Sequence, residues 1–159
     1  MGKTIHDEIN QKAFKNPFEE LIVASMYTGL FIKDSINELL KPYGLGMVHY
    51  NILRIVKGQE GDFVPLKKIK DVLIDRSVNL SRSVDLLVQK EDLEREARRS
   101  DRREIKVRIT QKGRLLLEEL EAPMEEGMRR LSEKMGSKEA TNISRSLDQI
   151  REAYRPRIN

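Results

Sequence analysis

The stretch Asp101–Gly113, "DRREIKVRITQKG", crowds charge in front of a short alternating segment and closes on a Thr-Gln-Lys-Gly step. Ile105, Val107 and Ile109 fall on one side of an extended chain and Glu104, Lys106 and Arg108 on the other, the period-two pattern of a half-buried strand. Asp101, Arg102 and Arg103 therefore stand at a strand end. Pairing of Leu93–Arg98 with Glu104–Ile109 makes a hairpin with that charged triplet at its tip. Taken alone, such a tip is a solvated turn; the segment upstream gives it another meaning.

That segment, "SVNLSRSVDLLVQK", runs from Ser77 to Lys90. Ser77 can cap a helix in which Leu80, Val84 and Leu87 share one face, while Asn79, Arg82 and Ser83 share the opposite one. Before it, "PLKKIKDVL" (Pro65–Leu73) turns Leu66, Ile69, Val72 and Leu73 inward and Lys67, Lys68 and Lys70 outward. Two short helices joined by a turn of three to four residues, the second showing small polar and Arg side chains near its start, form the helix-turn-helix pattern. The basic hairpin that follows is then a wing.

Helices flank this lobe on both sides. Asn16-Pro17 opens a long one that extends to about Lys41 and is apolar over more than one stripe, and a shorter one covers about Met47 to Lys57. After Thr110 as cap, a helical region should be kinked or broken at Pro123. A last helix from about Ser137 carries Ala140, Ile143, Leu147, Ile150 and Tyr154 in a heptad-like seam. The expected fold is mostly α with a small β wing. Residues 1–44 form a dimerising helix, 45–113 a winged helix-turn-helix lobe, and 114–159 further dimerising helices, all within one intertwined domain.

Composition narrows the function classes. Between Pro65 and Gly113 there are 14 Lys/Arg against 9 Asp/Glu, leaving 16 against 17 elsewhere, so the net positive charge of +4 resides in the middle third. A phosphate backbone is the commonest partner of such a segment, although an acidic protein or an anionic membrane also suits it. The chain has no Cys and two His, His6 and His49, in different segments and without metal-ligand spacing. With no Gly-rich phosphate loop, nucleophile elbow or paired-carboxylate motif, neither an enzyme nor a metal or cofactor is expected. No apolar run approaches a membrane span, so the reading is a cytoplasmic protein without a membrane partner.

The order of these elements resembles the MarR family of bacterial winged-helix transcription regulators. "NLSRSVD" (Asn79–Asp85) carries the resemblance in the recognition helix. "DRREIKVRITQKG" is similar to the family's Asp-x-Arg wing followed by a strand and a Thr-x-x-Gly step, and "YGLGMVHYNILRIV" resembles the family's second helix. The resemblance implies that Asp101 braces the wing, that Arg103 reaches the minor groove, and that the start of the recognition helix reads the major groove. It also implies an obligate homodimer built from the first and last helices. One departure is visible: Glu91-Asp92-Leu93 stands where many members have Gly-Leu after the recognition helix.

An Arg-rich tip suits the narrow minor groove, whose concentrated negative potential attracts guanidinium groups. The expected DNA contacts are Lys67, Lys68, Ser77, Asn79, Ser81, Arg82, Ser83, Asp101, Arg102 and Arg103, with Lys67, Lys68 and Ser81 on phosphates. The resemblance further implies a small aromatic effector, for which Met26, Tyr27, Phe31, Met47, His49 and Tyr50 are the expected lining. The competing reading is a helical protein-interaction module that has lost DNA binding.

Overall fold

A computed structural model describes residues 2–59, 61–96 and 105–156. They form two compact units, 1–117 and 118–159. The first begins with a one-turn helix α1 (Ile5–Glu8), absent from the sequence-based expectation, and the long α2 (Pro17–Leu40). Asn16 opens α2 as expected, its side-chain oxygen accepting the Phe18 and Glu19 N–H groups at 3.0 Å each, which satisfies two of the orphan donors of a helix start. A 3₁₀ turn, Lys41–Tyr43, ends it at Gly44, whose φ of 66° is the left-handed value glycine adopts without strain.

Helix α3 (Met47–Lys57) is held to α2 by Asn37, whose Oδ1 accepts the Met47 N–H at 2.8 Å. Strand β1 (Val64–Pro65) leads into α4 (Leu66–Val72), and α5 (Leu80–Gln89), β2 (Leu93–Arg95) and β3 (Lys106–Ile109) follow. The three strands are antiparallel in the order β1-β3-β2, with Val64 opposite Val107 and Leu93 opposite Ile109. The sheet thus exceeds the expected two-stranded hairpin, because the Val-Pro step read as a helix start pairs with β3 before the helix begins.

One apolar core joins these elements. Ile52, Leu53 and Val56 of α3 meet Ile69 of α4, Val84 and Leu87 of α5, Leu93 of β2 and Val107 of β3, all at 2% exposure or less. Burying residues of this size contributes about 1.5 to 3 kcal/mol each, which makes this lobe the stable scaffold of the unit. Helix α2 contributes little to it: of its 24 residues only Leu40 is buried, and Phe18, Met26, Leu30, Phe31 and Ile32 are more than half exposed.

Helix α6 (Gln111–Ser132) runs through Pro123, so of the kink or break expected there the helix shows no break. Proline removes one N–H, and the acceptor it leaves without a donor belongs to exposed Glu119, where water can serve it. In the second unit, α7 (Ser137–Ala153) buries no residue, and Met128, Leu131, Ile143 and Leu147 are exposed. No described helix is long and apolar enough to cross a membrane.

Candidate nucleic-acid interface

The turn between α4 and α5 is longer than the expected three to four residues, and one carboxylate explains why. Asp75 Oδ1 accepts both the Ser77 N–H, at 3.1 Å, and the Ser77 hydroxyl, at 2.5 Å. Ser77 is thereby committed to an Asx-type turn and is not the cap assigned to it from the sequence. Asn79 caps α5 instead, its side-chain oxygen accepting the Arg82 N–H at 3.1 Å. Asp75 Oδ2 also accepts from Lys33 of α2 at 2.9 Å, and the Ile74 N–H donates to Asn51 of α3 at 3.1 Å. The Ser77 and Lys33 hydrogen bonds hold the Asp75 pKa down at about 2. The turn that aims α5 is thus tied to both preceding helices.

From this start α5 presents Ser81, Arg82 and Asp85 to solvent while Leu80, Val84 and Leu87 enter the core. Ser83, expected on the outer face, turns inward: it is 9% exposed and its hydroxyl donates to the Asn79 carbonyl at 3.2 Å. A small hydroxyl can satisfy itself on the backbone four residues back, which lets it sit between apolar neighbours. The Arg82 guanidinium and the Lys67 ammonium are exposed and meet no acceptor among the described residues, whereas Lys68 donates to Gln59. Asp101, Arg102 and Arg103 lie outside the described residues.

The base of the wing is a lattice of ion pairs. Opposite each other across β2 and β3, Glu94 accepts from Arg108, and the Arg108 guanidinium carbon lies 4.7 Å from the Phe63 ring centroid, a cation–π contact that joins the ribbon to the segment before β1. Glu96 and Lys106 approach to 4.0 Å. Arg95, on the other face of β2, reaches back to Asp85 of α5. Only the strands' own pattern was legible in the sequence; Lys33–Asp75 and Asp85–Arg95 are pairs between elements that no local spacing marks.

The Thr-Gln-Lys-Gly step closes the lobe behind the wing. Thr110 donates its N–H to the Asp92 carbonyl at 3.1 Å and its hydroxyl to the Glu91 carbonyl at 2.6 Å, while Oγ1 accepts the Gly113 N–H at 3.1 Å. The Asp92 carbonyl lies so close to Gly113 that a Cβ there would stand 2.2 Å from it. Thr and Gly at this spacing are therefore a joint that presses the start of α6 onto the end of α5. The unusual Glu91-Asp92 pair sits in this joint: Glu91 has a φ of 62°, and Asp92 is 1% exposed with Oδ2 unpartnered among the described residues. Burial pushes the Asp92 pKa up, partly offset by Lys112 and Lys90.

The expected effector lining falls into two sets. Met26, Tyr27 and Phe31 lie on α2, the two rings stacked at 6.4 Å, and the Tyr27 hydroxyl donates to Glu8 at 2.8 Å. Met47, His49 and Tyr50 open α3, where His49 Nδ1 accepts the Gly46 N–H at 3.0 Å. Burial and the Lys90 charge lower the His49 pKa. Along α2, at about 1.5 Å per residue, Phe31 and Met26 stand roughly 9 and 16 Å before Asn37, the residue that touches the second set. No cluster of three or more His, Cys, Asp or Glu side chains suited to a metal ion occurs among the described residues.

No family profile and no curated protein sequence matches the chain. Solved structures do. The S. aureus MepR–DNA complex superposes with a TM-score of 0.73 at 15% identity, over 89% of this chain and 100% of that one. AbsC, a MarR family transcriptional regulator from Streptomyces coelicolor, gives 0.71 at 20% identity over 89% and 97%. A mutant E. coli MarR complexed with operator DNA gives 0.67 at 20% identity over 86% and 99%. With a helix-turn-helix, a three-stranded wing and flanking helices matched over nearly their whole length, the chain has the winged helix-turn-helix fold of the MarR transcription regulators.

Proposed function

We propose that the chain is a MarR-type transcriptional regulator that binds a pseudo-palindromic DNA operator as a homodimer and acts without catalysis, in the cytoplasm. The observation that carries this reading is α5: its cap, its turn and its core face are fixed, and the face left outward bears Ser81 and an Arg82 guanidinium with no acceptor among the described residues. An exposed guanidinium without an intramolecular acceptor has no ion pair to break on binding and offers a bidentate donor to a guanine edge. Lys67 and Lys68 would hold phosphates, and Asp101, Arg102 and Arg103 would serve the minor groove, as the resemblance implies. The dimer is supported within each unit by an apolar face without cover, on α2 in the first and on α7 in the second. A small aromatic effector would act by favouring one spacing of the recognition helices; a preference of about 1 to 3 kcal/mol shifts affinity roughly 5- to 150-fold.

The test is Arg82→Ala on selected and unrelated duplexes. A loss of about 1 to 3 kcal/mol on the selected duplex, with relaxed preference at one base position per half-site, is expected. Equal affinity of wild type and variant for every duplex would overturn the base-reading role. An interaction module that has lost DNA binding would instead show weak heparin retention with little salt dependence.

A further inference from the structure

Asp85 is a negative charge on the face that α5 would turn towards DNA. It lies three residues after Arg82 and four after Ser81, hence one turn further along the same face, and its side chain is 59% exposed. Electrostatics alone makes it a liability there, since a carboxylate beside phosphates is repelled. Its partner changes that. Arg95, 44% exposed, leaves β2 and donates to Asp85 Oδ1. The sheet register explains how Arg95 gets there: it stands opposite Val107 and two residues after Leu93, so it shares the face of β2 with the buried Leu93, on a strand that contacts α5.

We propose that Asp85 and Arg95 are positioning residues that clamp the wing to the recognition helix, so that the two elements meet DNA as one unit in a fixed relative orientation. The proposal rests on the DNA-binding reading above and adds a role that neither charge nor the outward face of α5 requires. The outer-face contacts of the ribbon, Arg108 with Glu94 and Phe63, tie the wing to the segment before β1; the Asp85–Arg95 pair is a side-chain bridge from the ribbon to α5. An exposed pair contributes little to global stability, so its loss leaves the fold intact and DNA affinity becomes a clean readout.

The sign of the effect separates the clamp from simple charge. Asp85→Asn should weaken binding to a duplex selected by the wild-type protein about three- to fivefold, although it removes a negative charge, and should leave binding to a random-sequence duplex unchanged or tighter. Asp85→Glu, which keeps the carboxylate, should bind the selected duplex nearly as wild type. In an Arg95→Gln background, Asp85→Asn should reverse sign and tighten binding, because the carboxylate there is unpaired. Tighter binding of Asp85→Asn to both duplexes in the wild-type background overturns the proposal. If wild type binds neither duplex, the DNA-binding reading falls, and the clamp is judged on the free protein. Amide exchange at Leu93–Arg95 should then be faster in Asp85→Asn, and unchanged exchange overturns it.

Discussion

Replacing Gly113 by alanine sets two rules against each other. Gly113 lies in the first turn of α6, where an alanine in place of glycine ordinarily stabilises a helix by about 1 kcal/mol. The structure requires the opposite. The new Cβ would stand 2.2 Å from the Asp92 carbonyl oxygen and 2.9 Å from Ile109 Cγ1. The first of these is a backbone atom, fixed by the Thr110 N–H at 3.1 Å and by the turn out of α5. Relief therefore means moving α6 away from α5 and stretching the Thr110 bonds at the same time. Overpacking of this kind costs about 1 to 3 kcal/mol or more, and each hydrogen bond weakened adds roughly 1 kcal/mol. Against the helix gain, the net loss is about 2 to 3 kcal/mol, a fall in Tm of roughly 4 to 12 °C for a chain of this size. Urea unfolding followed by circular dichroism reads it directly. A Gly113→Ala variant as stable as wild type, or more stable by the helix increment, would refute the joint.

The same joint and the helix-turn-helix turn supply three further expectations. Glu91→Gly should raise stability by about 0.5 to 1 kcal/mol in urea titration, because glycine accepts the left-handed φ of 62° that costs other residues roughly 1 to 2 kcal/mol, less the entropy glycine adds to the unfolded chain. Asp92→Asn should stabilise at neutral pH by about 1 kcal/mol. The folded-state pKa of Asp92 is raised, so charge burial opposes folding as pH climbs through that pKa and is absent in acid; an advantage that persists at pH 3 contradicts this. Asp75 has the reverse sign. Its folded pKa of about 2, below the usual 3.8, means its contribution is present above pH 4 and is lost as pH falls towards 2, so Asp75→Asn should be less stable than wild type at pH 5 to 7 with the difference shrinking as pH falls towards 2, read by CD-monitored urea titrations across that range; a difference that stays constant down to pH 2 contradicts this.

Much of the lobe was legible because its signals are local. The spacing of Leu80, Val84 and Leu87 marks the inner face of α5, and of the alternating Ile105, Val107 and Ile109 the last two are buried as read, whereas Ile105, ahead of β3, is 45% exposed. The start of α5 was not, since Ser77 and Asn79 are equally good caps and only the capture of Ser77 by Asp75 decides between them. Strand β1 has two residues, too few to carry a period, and exists through its pairing with β3. Ser83 shows that a polar residue need not mark an outward face when the carbonyl four residues earlier accepts its hydroxyl. The bridges Lys33–Asp75 and Asp85–Arg95 span 42 and 10 residues of chain, and of these four residues the stretches that carry the resemblance include Asp85 alone, without its partner.

Selection of duplexes from a random pool by the purified protein tests the central claim most directly. The expected product is a pseudo-palindromic motif with half-sites centred about 10 base pairs apart or a multiple of it, bound by two chains per duplex in analytical ultracentrifugation, with affinity falling steeply as salt rises. A pool that stays random after repeated rounds, or a motif without two-fold symmetry bound by a single chain, would contradict it.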